Sequence, residues 1–155
     1  MLQRIQSLYL LLAALSVYAL FLFPLVHNVY VDDKPVTIMV TGVFQDANGQ
    51  LIHPQFFTAL TGATAVVGLI PIAIIFLYKK RKQQITLCYG AILVIIGLSF
   101  WTEKSVQSVI GDAPIALHNF GIGVLLSTAS ILFLVLAVKR INFDEKLVKS
   151  ADRLR

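Results

Sequence analysis

Four long apolar stretches dominate the chain, and none of them contains Asp, Glu, Lys or Arg. A helix needs about 17 to 25 residues to cross a hydrocarbon core of about 30 Å, and each stretch is long enough. The pattern predicts an all-α membrane protein, in which four transmembrane helices form a bundle within a single membrane domain. The predicted spans are residues 8–26, 56–78, 85–101 and 118–138.

The composition places most of the chain in lipid. Hydrophobic residues make up 57% of it and charged residues 14%, whereas about a quarter of the residues in a soluble domain are charged. The charges of the net +5 chain flank the apolar stretches and do not form a groove with interleaved aromatic residues. We therefore predict a lipid bilayer as partner, and no nucleic acid.

The basic residues are distributed unevenly between the two sides of the predicted membrane. One side carries Arg4, Lys79, Lys80, Arg81, Lys82, Lys139, Arg140, Lys146, Lys149, Arg153 and Arg155, and the other carries Lys34 and Lys104. Because Lys and Arg accumulate in cytoplasmic segments, both termini are predicted to be cytoplasmic, with a turn at 79–84 and a tail at 139–155. The outer loops are then residues 27–55 and 102–117.

The first outer loop is rich in β-branched residues over 36–44. Asn48 and Gly49 tolerate the positive φ of a tight turn, and residues 50–52 can return as a second strand. The pattern predicts an extracytoplasmic β-hairpin. An isolated two-stranded ribbon is marginally stable, so we expect it to rest on the helix ends, on a further strand such as 29–31, or on a partner.

Three further signals concern helix ends. Pro54 suits the first turn of a helix and is expected to lead into the second span. The third span is short, but residues 102–110 can continue its helix until Gly111 breaks it. In the tail, Asn142 with Glu145 three residues later resembles a capping box, which predicts a separate short amphipathic helix.

Small and hydroxyl residues recur at helical spacing in two of the spans. The two sets are Thr64 and Gly68 in the second span, and Asn119, Gly123, Ser127 and Ser130 in the fourth. Such residues let helix backbones approach closely in lipid. We expect them to pack the chain's own helices together, or to dock onto another membrane protein or a second copy.

The basic residues near the cytoplasmic ends admit two interpretations. The residues concerned are Lys79, Lys80, Arg81, Lys82, Lys146, Lys149 and Arg153. They anchor the topology, and they can also contact anionic lipid or a protein partner.

The sequence contains little that indicates chemistry. Cys88 is the single cysteine, so paired-thiol redox chemistry is excluded. The spans lack the membrane-embedded acid of a proton-coupled exporter. His27, His53 and His118 map to span ends on the outer side and suggest a zinc or pH-sensing site, but none of them shows ligand spacing. We predict no catalytic residue, no metal ligand and no cofactor.

The two ends of the chain together carry a family resemblance. The motifs are Met1 to Gln6 followed by Leu8 to Ala13, and Asp144 to Arg155. They resemble an uncharacterised family of four-span inner-membrane proteins from Bacteroidota, defined as a domain of unknown function. The resemblance implies a bacterial inner-membrane location and four spans, and it brings no activity, cofactor or site residue.

These observations favour a non-enzymatic accessory or scaffold subunit of a larger inner-membrane assembly. It would use the small-residue faces and the cytoplasmic tail for binding. An alternative is a small transporter or channel, with a path lined by Thr58, Thr61, Thr64, Ser127, Thr128 and Ser130. A third hypothesis is a membrane enzyme acting on lipid or quinone, which only the outer histidines support.

Overall fold

The computed structural model describes residues 3–31, 34–47, 50–78, 80–111 and 117–152. Within them the chain is mostly helical, with four α-helices, one short 3-10 helix and one four-stranded antiparallel sheet. The elements in chain order are α1 Gln3–Ala19, β1 Val26–Val31, β2 Lys34–Met39, β3 Gly42–Ala47, β4 Gln50–Phe56, α2 Thr58–Ile75, α3 Arg81–Ile110, the 3-10 helix Leu117–Asn119, and α4 Ile122–Asp152.

Three helices of the described chain are long and apolar enough to cross a membrane, namely α2, α3 and the Ile122–Glu145 part of α4. The apolar part of α1, Ile5–Ala19, is shorter. The whole of α1 has 17 residues, which corresponds to about 25 Å at the usual helical rise. The outward faces of the helices are rich in exposed Leu, Val, Ile and Phe side chains, as expected of helices solvated by lipid.

Helix α1 packs against α2 and α4, and α3 packs against the same two helices. The contact of α1 with α2 depends on the absence of a side chain at Gly68. A Cβ there would lie 2.8 Å from Cζ of the Tyr18 ring, which is too close for two carbon atoms. The Tyr18 hydroxyl donates to the Ala65 carbonyl at 3.2 Å. The contact of α1 with α4 is closed by buried Ser130, whose hydroxyl donates to the Ala13 carbonyl at 3.0 Å.

The sheet is a meander with strand order β1-β2-β3-β4, which corrects the predicted two-stranded hairpin. Residues 36–44 were expected to form one strand, but they turn at Val40 and Thr41 and continue in β3. Gly42 makes this turn possible, since its φ of 152° is strained for any other residue. The predicted turn at Asn48 and Gly49 lies outside the described residues, and the flanking Ala47 and Gln50 are paired as expected.

Backbone hydrogen bonds join the sheet to the helix ends. The Leu25 carbonyl accepts from Gly121 N–H at 2.8 Å, and the Pro24 carbonyl accepts from Gly123 N–H at 3.0 Å. On the other side, Phe57 N–H donates to the Thr41 carbonyl at 3.1 Å. Support from the helix ends was one of the expected arrangements, and β1 contains the predicted further strand at 29–31.

The first predicted span ends earlier than the apolar pattern indicated. Helix α1 stops at Ala19, and Val26 already begins β1. Pro24 explains the change, because it cannot donate to a helix and disfavours helical geometry in the residue before it. The prediction that Pro54 begins the second span is also wrong. Pro54 lies in β4, at the edge of the sheet, where a missing N–H is tolerated.

Two predictions at helix ends have opposite outcomes. The continuation of the third span to Ile110 is confirmed, and Gly111 follows it with a φ of 59°. The separate tail helix is wrong, since α4 runs without interruption to Asp152. Asn142 is therefore an interior residue of α4, because no glycine or proline interrupts the helix between residues 124 and 152. At the other end, Gly121 separates α4 from the 3-10 helix that contains His118.

Gly123 provides a test of the connection between α1 and α4. A Cβ there would lie 2.7 Å from the Pro24 carbonyl oxygen, whereas a Cβ at Gly97 of α3 would meet nothing within 4 Å. We expect Gly123→Ala to lower the free energy of unfolding by about 2 kcal/mol through overpacking. Gly97→Ala is the matched control and should leave it unchanged or slightly raised. Thermal unfolding of both variants in one detergent checks this, and equal midpoints would contradict it.

Candidate functional site

The helices have two chemically different ends. We call the end that meets β1 and the start of α4 the sheet end. The basic end is the one where Lys80, Arg81, Lys82, Lys139 and Arg140 lie. A cluster of polar side chains is buried at the basic end, and an apolar cavity and an aromatic patch lie at the sheet end.

The buried polar cluster at the basic end consists of Gln6, Arg81, Gln84 and Asp144, one or two residues from each of α1, α3 and α4. Gln6 Nε2 donates to Asp144 Oδ2 across the α1–α4 contact. Arg81 Nη1 donates to the Asp144 backbone carbonyl at 3.3 Å. Gln84 Nε2 donates to the Ile74 carbonyl at 3.2 Å, near the end of α2. The cluster therefore connects all four helices.

Two acceptor atoms of this cluster are buried and unpaired among the described residues. Asp144 is 5% exposed and Gln84 is 2% exposed, and Asp144 Oδ1 and Gln84 Oε1 are the atoms concerned. A buried unpaired acceptor costs free energy.

The sequence offers a signal for one member of this cluster. The buried positions of α3 up to Leu98 are Gln84, Cys88, Ala91, Ile95 and Leu98, which recur at the spacing of one helical face. Gln84 thus belongs to the buried face although it lies next to the basic turn. The burial of Asp144 has no such signal, because it depends on α1 packing beside α4.

The predicted basic contacts are distributed around this cluster. Lys80 and Lys82 are exposed, and Arg81 is half-buried within the cluster. Lys146 and Lys149 lie in α4. Lys79 and Arg153 lie outside the described residues.

A cavity of about 280 Å³ lies at the sheet end, between the start of β1, α3 and α4. It is lined by Leu25, Val26, Ser99, Thr102, Glu103, Val106, Phe120, Val124 and Ser127. The Ser99 and Thr102 hydroxyls donate to Ile95 and Leu98 carbonyls of their own helix. The cavity is therefore suited to an apolar group, with the Glu103 carboxylate beside it.

The outer histidines have different environments. The His53 ring lies 4.0 Å from the Phe44 ring and 5.4 Å from the Phe56 ring, and it is nearly parallel to the latter. His27 lies in β1 and His118 lies in the 3-10 helix. In the part of the chain that the structure describes, no group of three or more His, Cys, Asp or Glu residues is placed to hold a metal ion.

The small-residue positions are occupied by contacts within the chain. Thr64 is buried and its hydroxyl donates to Leu60, while Gly68 faces Tyr18 of α1. Ser130 and Gly123 contact α1 and the segment after it. The remaining two members of the fourth-span set are used at the sheet end. Asn119 precedes α4, and its Nδ2 donates to the His27 and Asn28 carbonyls at 3.1 and 2.8 Å, while Ser127 lines the sheet-end cavity.

The sheet presents an aromatic patch, formed by Phe44, His53 and Phe56. Phe44 is half-buried, whereas His53 and Phe56 of β4 are exposed. Among the described residues, β4 pairs with β3 on one side and with no strand on the other. An exposed group of this kind on an edge strand is typical of a binding surface.

The buried polar cluster generates a stability prediction. Asp144→Ala removes the acceptor of the Gln6 amide and should lower the free energy of unfolding by about 1 to 3 kcal/mol. Asp144→Asn keeps a carbonyl oxygen for that amide and should cost less. Glu103→Ala, at an exposed acidic residue, is the charge-matched control and should be nearly neutral. Denaturant titration of the three variants checks the order, and an Asp144→Ala protein as stable as the control would refute it.

Comparison with known proteins adds the family. No curated protein and no solved structure matches the chain. The family described as a domain of unknown function, DUF4293, matches residues 2–154. This agrees with the resemblance of the terminal motifs to an uncharacterised family. The match covers nearly the whole length, and the chain therefore belongs to the DUF4293 family.

Proposed function

We propose that this chain is a non-enzymatic accessory or scaffold subunit of a bacterial inner-membrane assembly, and that it binds a protein partner with its sheet. In this proposal four helices cross the membrane as a bundle, both termini are cytoplasmic, and the sheet lies outside the cytoplasm. The partner is another integral membrane protein or a second copy of the chain.

The membrane setting is supported by the long apolar helices and by the distribution of charge. Three described helices are long and apolar enough to cross a membrane. The basic end carries Lys80, Arg81, Lys82, Lys139 and Arg140, which the positive-inside rule assigns to the cytoplasm. The connections between the helices are consistent with α1 as a fourth span, although its helical part is short.

The observation that carries the proposed function is the aromatic patch of Phe44, His53 and Phe56. Phe56 is 65% exposed, although it is a large apolar side chain. Leaving it exposed has no benefit for the folded chain, since burying such a side chain contributes about 1.5 to 3 kcal/mol. A partner that covers the patch would recover this free energy.

The patch is also ordered before any partner binds. The His53 ring is stacked on Phe56 with an interplanar angle of 4° and meets Phe44 edge to face. Thr61 of α2 donates to the Val40 carbonyl at 3.2 Å, which fastens the β2–β3 turn to the helices. Side chains that are already fixed lose less conformational entropy on association, so a small patch can bind well.

The transporter hypothesis receives less support from the geometry. A path needs hydroxyls that face a shared wet cavity, but the Thr64 and Ser130 hydroxyls are buried and donate to backbone carbonyls. Ser127 lines the sheet-end cavity, while Thr58 and Thr128 are exposed on the outside of their helices. The enzyme hypothesis relied on the outer histidines, and the aromatic stack around His53 favours a binding role for that residue.

The patch can be tested with a matched pair of variants. Phe56 and Tyr30 are 65% and 67% exposed and lie on opposite edge strands of the sheet. We expect a tagged wild-type chain, purified from its native membranes in mild detergent, to retain one partner at fixed stoichiometry. Phe56→Ser should reduce the retained partner at least about tenfold, the size expected for loss of a hot-spot residue.

Tyr30→Ser is the control and should retain the partner, because it removes an equally exposed aromatic ring away from the patch. Far-UV circular dichroism and thermal unfolding establish that each variant folds. Partner retention by the Phe56→Ser variant at the wild-type level would refute the docking surface. A wild-type chain that purifies alone and conducts a solute after reconstitution would favour the transporter instead.

A further inference from the structure

A groove of about 470 Å³ runs between α1 and α4 at the basic end. Ile5, Tyr9, Leu136, Lys139, Arg140 and Phe143 line it. The spacings of these residues, four on α1 and three, one and three on α4, are those of single helical faces. The groove therefore lies between facing sides of two packed helices. Its lining combines the cationic Lys139 and Arg140 and the phenol of Tyr9 with apolar side chains.

One donor of a groove-lining residue has no acceptor among the described residues. This donor is the enclosed Nε–H of Arg140. The guanidinium carbon lies 5.6 Å from the Phe143 ring centroid, so the ring holds the cation in place. Asp144 accepts from Gln6 through Oδ2, and its Oδ1 makes no hydrogen bond to Arg140. A guanidinium donor that is unpaired among the described residues can be satisfied by an anion in the groove.

The groups around this donor match a phosphate. Arginine binds phosphate oxygens with parallel N–H donors, Lys139 adds a second positive charge, and the Tyr9 hydroxyl can donate as well. The Lys139 side chain is exposed, so it can reach an anion at the mouth of the groove. Basic pockets between membrane helices at the cytoplasmic surface are suited to anionic lipid headgroups.

The surface next to the groove distinguishes a lipid from a free anion. Exposed apolar side chains continue along both helices, with Leu8 and Leu11 on α1 and Leu132 and Leu136 on α4. An acyl chain can lie along these side chains while its phosphate occupies the groove. Inorganic phosphate would gain nothing from them.

We infer that the α1–α4 groove is a binding site for an anionic phospholipid, whose phosphate is held by Arg140 and Lys139. The inference goes beyond the proposed function and shares with it only the membrane setting. The site lies at the opposite end of the helices from the aromatic patch, so the two can be tested separately.

The experiment measures lipid binding to the full-length protein in a neutral detergent by native mass spectrometry. The probes are phosphatidylglycerol and phosphatidylcholine with identical acyl chains. The wild-type protein should bind phosphatidylglycerol at least about tenfold more tightly, because only that headgroup leaves its phosphate charge uncompensated. Arg140→Gln should reduce the affinity for phosphatidylglycerol to that for phosphatidylcholine.

Two further variants separate this site from general charge attraction. Lys104→Gln makes the same charge change at an exposed residue outside the groove and should keep the preference. Lys139→Gln changes an exposed side chain, so it is expected to fold even if Arg140→Gln does not, and it should weaken phosphatidylglycerol binding several-fold. Equal losses for Lys104→Gln and Arg140→Gln would overturn the assignment.

Inorganic phosphate supplies the last arm of the test. If added phosphate displaces phosphatidylglycerol at equal concentration, the groove holds a free anion and the lipid assignment is overturned. Persistence of the lipid complex in a large excess of phosphate supports it. Partner retention by the Arg140→Gln protein should be unchanged, which keeps this outcome independent of the docking surface.

Discussion

The close approach of the segment after α1 to the start of α4 is the constraint on which the rest of the structure depends. The carbonyls of Pro24 and Leu25 accept hydrogen bonds from Gly123 and Gly121, at a separation that leaves no room for a Cβ. This contact directs the chain from the end of α1 into β1 and sets where α4 begins. The sheet lies beside the helix ends, because β1 follows directly from this contact and the other strands pair next to it in succession.

Polar side chains inside the helical part follow from the same packing. In a chain that crosses a membrane, as proposed for this one, a polar group gains most when it faces another helix, since lipid offers it no hydrogen bond. Ser130, Gln6 and Gln84 accordingly donate to groups on neighbouring helices. The cluster at Asp144 is the clearest case, because it joins the two ends of the chain, α1 and α4, across the basic end.

The two proposed binding surfaces place different chemistry at opposite ends of the helices. The sheet end offers rigid aromatic side chains and an apolar cavity, which suit a protein or an apolar group. The basic end offers cations beside apolar grooves, which suit a phosphate with acyl chains. Since the helices between them are stiff, a partner at the sheet and a lipid at the basic end can be bound at once.

Length and hydropathy were sufficient to predict the main features of this chain. The apolar runs predicted the long helices, and the β-branched residues with Asn48 and Gly49 predicted strands before α2. The boundaries were less accurate where one apolar run serves two elements, as at residues 20–26, because hydropathy does not distinguish a helix from a buried loop and strand. Gly42 was the signal in the sequence for the extra turn in the sheet. The absence of glycine and proline from residues 124–152 was the signal that α4 would continue through Asn142.

The candidate binding sites also divide into features that the sequence predicts and features that only the folded structure shows. The sequence by itself determined that polar chemistry is sparse, that small residues recur on helical faces, and that basic residues gather at one end, because these properties depend on residue type and spacing alone. Only the tertiary structure decided that Gly68 and Ser130 face α1, that Asp144 is buried beside Gln6, and that Arg140 lines a groove. These contacts join residues more than a hundred positions apart or on separate helices, and the packing of α1 against its neighbours is what brings them together.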